Sequence, residues 1–272
     1  MKIITFAAIK GGVGKTTICY NWGEYLAHHD HHKILFIDLD NQCSLSQTLN
    51  AYDSQNNVGK IFKGKNATPI KIDDYIDTLS SDVRLDDIEA GLERHTNKNM
   101  LLYLWMARNN DLLQQYDYIL IDCHPDFQIS TKNAIVVSHA IFSPITPNQF
   151  SFDSRTNLRA RLKSLQEEVI DYRTGESYVT AQLFFILNRL RHNTKASHQL
   201  IELMKDKPDV IAEIPDRELF NRSTLVSDTS YTSTPIIDME NDPQMMTKYR
   251  GFFTDINQTF DHLRQVVDQI DD

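Results

Sequence analysis

A near-continuous apolar run from Ile3 to Ile9 leads straight into Lys10-Gly11-Gly12-Val13-Gly14-Lys15-Thr16-Thr17, and helical spacing follows from Thr16 to about His28. A strand that turns through three glycines into a helix can aim several backbone N–H groups at one point. The helix N-terminus adds the positive end of its dipole there. Such a cradle takes an anion. Lys15 can then reach the β- and γ-phosphates of a nucleotide, and the Thr16 hydroxyl can ligate Mg²⁺. A plain strand-to-helix turn has no use for Gly-Lys-Thr-Thr at its end. The run is too short for a secretory leader and lacks a small-residue cleavage site, so it reads as a buried first strand.

Further apolar runs, Ile34–Ile37, Tyr118–Ile121, Ala140–Ile145 and Leu183–Leu187, are short and rich in β-branched or aromatic residues. They suit strands of a parallel sheet buried on both faces. Between them lie segments of helical spacing, one with Leu101, Leu104, Trp105 and Leu112 on one side. The last helix repeats Phe253, Ile256, Phe260, Leu263, Val267 and Ile270 at steps of three and four. The alternation predicts an α/β fold, a doubly wound, mostly parallel sheet flanked by helices. At 272 residues with 41% hydrophobic and 24% charged, the chain can bury a sizeable core as a single domain. No apolar run approaches the ~18 residues a membrane span needs. Residues 71–93 carry eight acids against Lys71 and Arg84. This stretch reads as a solvated face within a variable acidic excursion around residues 50–93.

Two more strands end in acids. Lys33–Ile37 leads to Asp38, Asp40, Asn41 and Gln42, and Tyr116–Ile121 leads to Asp122. Carboxylates at the carboxyl ends of strands beside a phosphate loop sit where Mg²⁺ and the attacking water must be. Asp122 would hold the ion through water. Cys123-His124-Pro125 follows, but no third group completes a Cys–His nucleophile there. Asn188 ends a further apolar run, in Ile186-Leu187-Asn188-Arg189, and its amide can both donate and accept. Cys19, Cys43 and Cys123 are odd in number and widely spaced, which argues against a disulfide or zinc framework and for a reducing cytosol. The run His28-His29-Asp30-His31-His32 falls at a helix end, where histidines complement the negative terminus, and adjacent residues rarely converge on one ion.

These motifs resemble the deviant-Walker P-loop NTPases of the ParA/MinD family, whose signature is K-G-G-x-G-K-[ST]. Lys10 and Lys15 both match it, while Ile9 stands where a strict P-loop has its first glycine. The resemblance implies an ATPase using ATP and Mg²⁺, slow unless stimulated, with Lys10, Lys15 and Asp40 as its catalytic residues. Lys10 would cross a nucleotide-sandwich homodimer to the partner subunit's phosphates, as an arginine finger does. Asp38 would support the hydrated Mg²⁺ beside Thr16 and Asp122, and Asp40 would orient the water. Asn188 and Pro215 would lie at the base, and Gly11, Gly12, Val13, Gly14 and Thr17 would complete the nucleotide site. Asn41 replaces the family's usual proline, and His124 departs from its two-proline pattern.

Within that family the terminal helix separates subtypes. Asp255–Asp272 holds five acids and one arginine, Arg264, which an anionic membrane would repel. The cysteines do not fit a cluster-bridging relative, and the last tyrosine is Tyr249. The ParA type remains, here in a small form whose chain starts at its first strand without a helix-turn-helix. The resemblance then implies a cytoplasmic, nucleoid-associated protein that drives plasmid or chromosome partition with a ParB-like, centromere-binding partner. A nucleotide-gated scaffold for another cargo is the second reading. Net charge is −9, so any DNA contact needs a local basic face and would be non-specific, through phosphates. Candidates are Arg155, Arg159, Arg161 and Lys163 on one predicted helix. The family resemblance favours Arg189, Arg191, Lys195, Arg217, Arg222 and Arg250, with Lys248 beside them.

Overall fold

A computed structural model describes residues 1–148, 152–225 and 233–271, with the side chains of 152–154 left aside. From the N-terminus, β1 (Lys2–Phe6) passes through the glycine loop into α1 (Lys15–His28) and β2 (Ile34–Leu39). Next come α2 (Ser44–Thr48), α3 (Val58–Phe62), β3 (Ile70–Lys71), β4 (Ile76–Leu79) and α4 (Leu85–Leu92). The middle holds α5 (Leu101–Arg108), α6 (Asn110–Leu113), β5 (Tyr118–Cys123), α7 (Ile129–Val137), β6 (Ala140–Ile145) and α8 (Phe152–Glu168). The chain continues with β7 (Gln182–Leu190), α9 (Lys195–Met204), β8 (Val210–Pro215) and α10 (Glu218–Ser223). It closes with α11 (Ile236–Glu240) and α12 (Pro243–Asp268).

The strands form one eight-stranded sheet in the order β3-β4-β2-β5-β1-β6-β7-β8, parallel except for β3 against β4. The doubly wound α/β prediction is met. Alternation along the central strands divides the core in two. Ile34 and Phe36 of β2, with Tyr118 and Leu120 of β5, pack toward α1, α11 and α12. Leu35 and Ile37, with Ile119 and Ile121, pack toward α3, α5 and α7 on the other face. By the same period of two, Asp38 and Asp122 fall on the α1 face, paired side by side in the β2–β5 register.

Helix α1 is clamped to the sheet by Trp22, whose ring meets Phe142 at 5.4 Å and Phe6 at 6.2 Å, and whose Nε1 donates to the Phe260 carbonyl at 3.2 Å. Losing such a fully buried ring costs about 3–5 kcal/mol. The expected stripe of α12 is buried as predicted, from Phe253 through Val267, with Ile270 beyond its end. Its start is set by Asp242, which accepts from the backbone N–H groups of Gln244 and Met245 ahead of Pro243.

Two expectations are corrected. The acidic excursion is no mere surface: β4 joins the sheet beside β2, and Val58, Ile61, Phe62 and Leu79 are core residues. The helical segment after residue 100 is broken at Asn109, and its buried face is Leu102, Trp105, Met106 and Leu113, with Leu112 exposed. Strands β3, β4 and β8 were not expected from the sequence.

Candidate nucleotide site

The glycine loop owes its shape to two left-handed residues, Gly12 at φ 71° and Gly14 at φ 94°, which side chains rarely adopt. Gly14 caps α1 and also has no room for a Cβ, which would come within 2.3 Å of Asn188 Nδ2. That amide donates to the Val13 carbonyl at 2.7 Å, so the end of β7 braces the loop from the side. Lys15 is buried at the first turn of α1, while Thr16 donates its hydroxyl to Asp122 Oδ2 at 2.5 Å.

The two strand-end carboxylates differ in what holds them. Asp38 accepts the Asp40 N–H at 3.0 Å on Oδ1, and the Ser46 N–H and hydroxyl at 2.8 and 2.6 Å on Oδ2. Burial nevertheless pushes its pKa up to about 6. Its direct work is therefore to fix Asp40 and the start of α2. Ser46, which sequence reasoning missed, is the donor that makes this possible. At Asp122 burial dominates, only partly offset by Lys15, and the carboxyl rises to about 8. Its Oδ1 is buried without a hydrogen-bond partner. A hydroxyl beside a buried carboxylate with one oxygen unmatched is a donor set that fits a hard divalent cation such as Mg²⁺.

In front of these groups opens a cleft of about 610 Å³, lined by Gly12, Gly14, Lys15, Thr16, Thr17 and Asp40 among others. Asp40 turns its Oδ1 to the Gln42 N–H at 2.9 Å. The far wall carries His124, whose Nδ1 lies 3.0 Å from Asp126 Oδ2. A second, narrow cleft of about 20 Å³ adjoins it, lined by Asn188, Pro215, Arg217 and Phe220. The base-side pair of the sequence reading thus lies together. Lys10 is exposed and lines a different cleft, with Ser143, Thr146 and Arg155, not the one that holds Lys15.

The basic candidates separate. Arg189 is exposed and lines the nucleotide cleft, and Arg191 is held by Asp216 at 2.5 Å. Arg155 and Arg159 both pair with Asp209. Lys195, Arg217, Arg222 and Arg250 are exposed. The histidine run is engaged by acids: His28 lies 3.3 Å from Glu24 and 3.2 Å from Asp73, and the Glu24 hydrogen bond raises its pKa. All three cysteines are buried and free. Among the described residues no helix is long and apolar enough to cross a membrane.

A family model described as an AAA domain matches residues 1–173. The chromosome-partitioning ATPase Soj of Treponema pallidum is 29% identical over 61% of this chain and 65% of its own length. A virulence plasmid ParA family protein of Chlamydia psittaci is 30% identical over 56% of this chain and 59% of its own. Both matches span less than two thirds of those relatives. Among solved structures, a putative plasmid partition protein from Borrelia burgdorferi bound to AMPPNP superposes with a TM-score of 0.71 at 26% identity, covering 91% of this chain and 98% of that one. The Cyanothece McdA(D38A)–ATP complex reaches a TM-score of 0.75 over 97% and 95% of the two chains, a likeness of fold alone at 19% identity. The glycine loop, the paired carboxylates of β2 and β5 and these matches agree: the chain belongs to the AAA domain family and, within it, to the ParA-type P-loop NTPases.

Proposed function

We propose that this chain is a partition ATPase switched by ATP between a monomer and a DNA-binding homodimer. The reading is carried by Lys10, a loop lysine that is exposed and lines a cleft other than the one Lys15 serves. A cation so placed is suited to phosphates presented by a second subunit.

In this reading Gly11, Gly12, Val13, Gly14 and Thr17 cradle the phosphates with backbone N–H groups, and Lys15 neutralises the β/γ end. Thr16 and Asp122 hold Mg²⁺, which when bound supplies charge neutralisation on the β- and γ-phosphate oxygens. Asp38 keeps Asp40 in place, and Asp40 orients the water in line with the γ-phosphate. Lys10 from the partner adds charge where the transition state develops it. Asn188 and Pro215 bound the base. The closed dimer would present Lys195, Arg217, Arg222 and Arg250 twice, giving an acidic chain a local basic face. A centromere-binding, ParB-like partner would then stimulate hydrolysis and release the dimer from DNA.

Light scattering with a slowly hydrolysed ATP analogue, with ADP, and with a Lys10→Ala variant tests the switch. The expected result is a doubled mass with the analogue and Mg²⁺ alone, lost in the variant. An unchanged mass at saturating analogue would overturn it.

A further inference from the structure

Adjacent residues of a strand point to opposite faces, yet Asn188 and Arg189 line the same base-side cleft. The backbone explains how. Arg189 has φ 56°, in the left-handed region, and the pairing of β7 with β8 shifts register between Leu187 and Leu190. A non-glycine residue there carries strain that the surrounding structure must offset. The irregularity lets Asn188 reach the Val13 carbonyl while Arg189 turns into the nucleotide cleft. Its neighbour Arg191 is matched to Asp216, and Arg155 and Arg159 to Asp209. Among the described residues Arg189 has no such acid within ion-pair distance.

Three residues, Gly14, Thr17 and Arg189, are common to the phosphate cleft and the base-side cleft. A nucleotide lying with its phosphates in one and its base against the other must cross that junction with its ribose and α-phosphate. We infer that Arg189 is a nucleotide-contacting residue that clamps the α-phosphate at this junction, and not a DNA contact. The inference rests on the nucleotide site proposed above. It also gives the strained bulge a purpose, since a regular strand would aim the guanidinium away from the cleft.

The placement predicts a distinctive pattern. A contact at the α-phosphate serves ATP and ADP equally, whereas one at the γ-phosphate serves ATP alone. Arg189→Gly suits the left-handed backbone and removes the charge without threatening the fold, and Arg189→Lys keeps a cation without the planar fork. Binding of ATP and ADP by calorimetry, and of a random DNA duplex at saturating ATP, should be measured for the parent and both variants. Losing a charge-assisted hydrogen bond to phosphate should weaken both nucleotides by the same factor, about ten- to a hundredfold in Arg189→Gly, with a smaller loss in Arg189→Lys. DNA affinity of the ATP-saturated variants should stay at the parent value. A loss confined to ATP, or an unchanged nucleotide affinity with weakened DNA binding, would overturn the inference alone. A parent chain that bound neither nucleotide would overturn the site reading beneath it.

Discussion

Replacing Asp122 with asparagine should make the nucleotide-free protein more stable while removing its response to Mg²⁺. Burial raises this carboxyl from 3.8 to about 8, and one of its oxygens has no partner. Between those two values the unfolded carboxyl has lost its proton and the folded one has kept it. The folded state therefore binds more protons, and stability falls as pH rises through that window. At about 1.4 kcal/mol per unit, the burden near pH 7 approaches ~4 kcal/mol. Asparagine cannot ionise, but its amide meets the same unmatched pocket, so a net gain of about 1–2 kcal/mol is expected. For a chain of this size that corresponds to ~2–8 °C in melting temperature. Thermal unfolding in chelator should show the variant's advantage widening from about pH 5 to pH 8. At saturating ATP, added Mg²⁺ should then raise the parent's melting temperature further and scarcely move the variant's. A variant that melts below the parent at pH 7.5, or a difference independent of pH, would refute the burial argument.

Asp40→Ala should bind ATP and dimerise like the parent yet lose hydrolysis, because an orienting carboxylate acts on the water and not on ground-state affinity; steady-state turnover beside equilibrium binding decides it. Lys15→Ala should instead weaken nucleotide binding itself, read by the same titration. Gly23→Ala should destabilise the fold by about 1–3 kcal/mol, since its Cβ would meet the Phe36 ring at 2.2 Å and Leu120 at 2.9 Å; chemical denaturation measures this.

What could be read before the structure was whatever depends on neighbours in sequence. The glycine loop is local chemistry, and its place between β1 and α1 follows from Gly12, Gly14 and Lys15 alone. Asp38 and Asp122 were legible because each closes an apolar run, and adjacent parallel strands then bring such ends together. The fourth central neighbour, β4, was hidden by its polarity. Thr78, Ser80, Ser81 and Asp82 are buried; the backbone there is matched, with Ser81 N–H donating to Ser46 Oγ and Val58 N–H to the Ser80 carbonyl, while the Thr78 and Ser81 hydroxyls are buried without a partner. Residues that mix acids and buried hydroxyls read as a solvated face when no partner is in view. The brace from Asn188 to Val13 joins positions 175 residues apart, and no spacing rule could have supplied it. The family resemblance groups Arg189 with the DNA candidates, and its place in the nucleotide cleft goes with a register shift of β7 against β8 that leaves no mark in the sequence.

Binding of random duplex DNA, measured by filter retention with ATP, with ADP and without nucleotide across a range of salt, tests the switch most directly. With a net charge of −9, a monomer's few basic residues should hold DNA poorly, whereas dimerisation doubles the face that carries Arg217, Arg222 and Arg250. The account predicts tight binding only with ATP, indifferent to sequence. Log affinity should fall linearly with log salt by about 0.9 for each phosphate neutralised. Changing Arg222 or Arg250 to glutamate should weaken binding on all sequences alike and leave ATP-driven dimerisation intact. Equal affinity in all nucleotide states, or strong preference for one sequence, would contradict it.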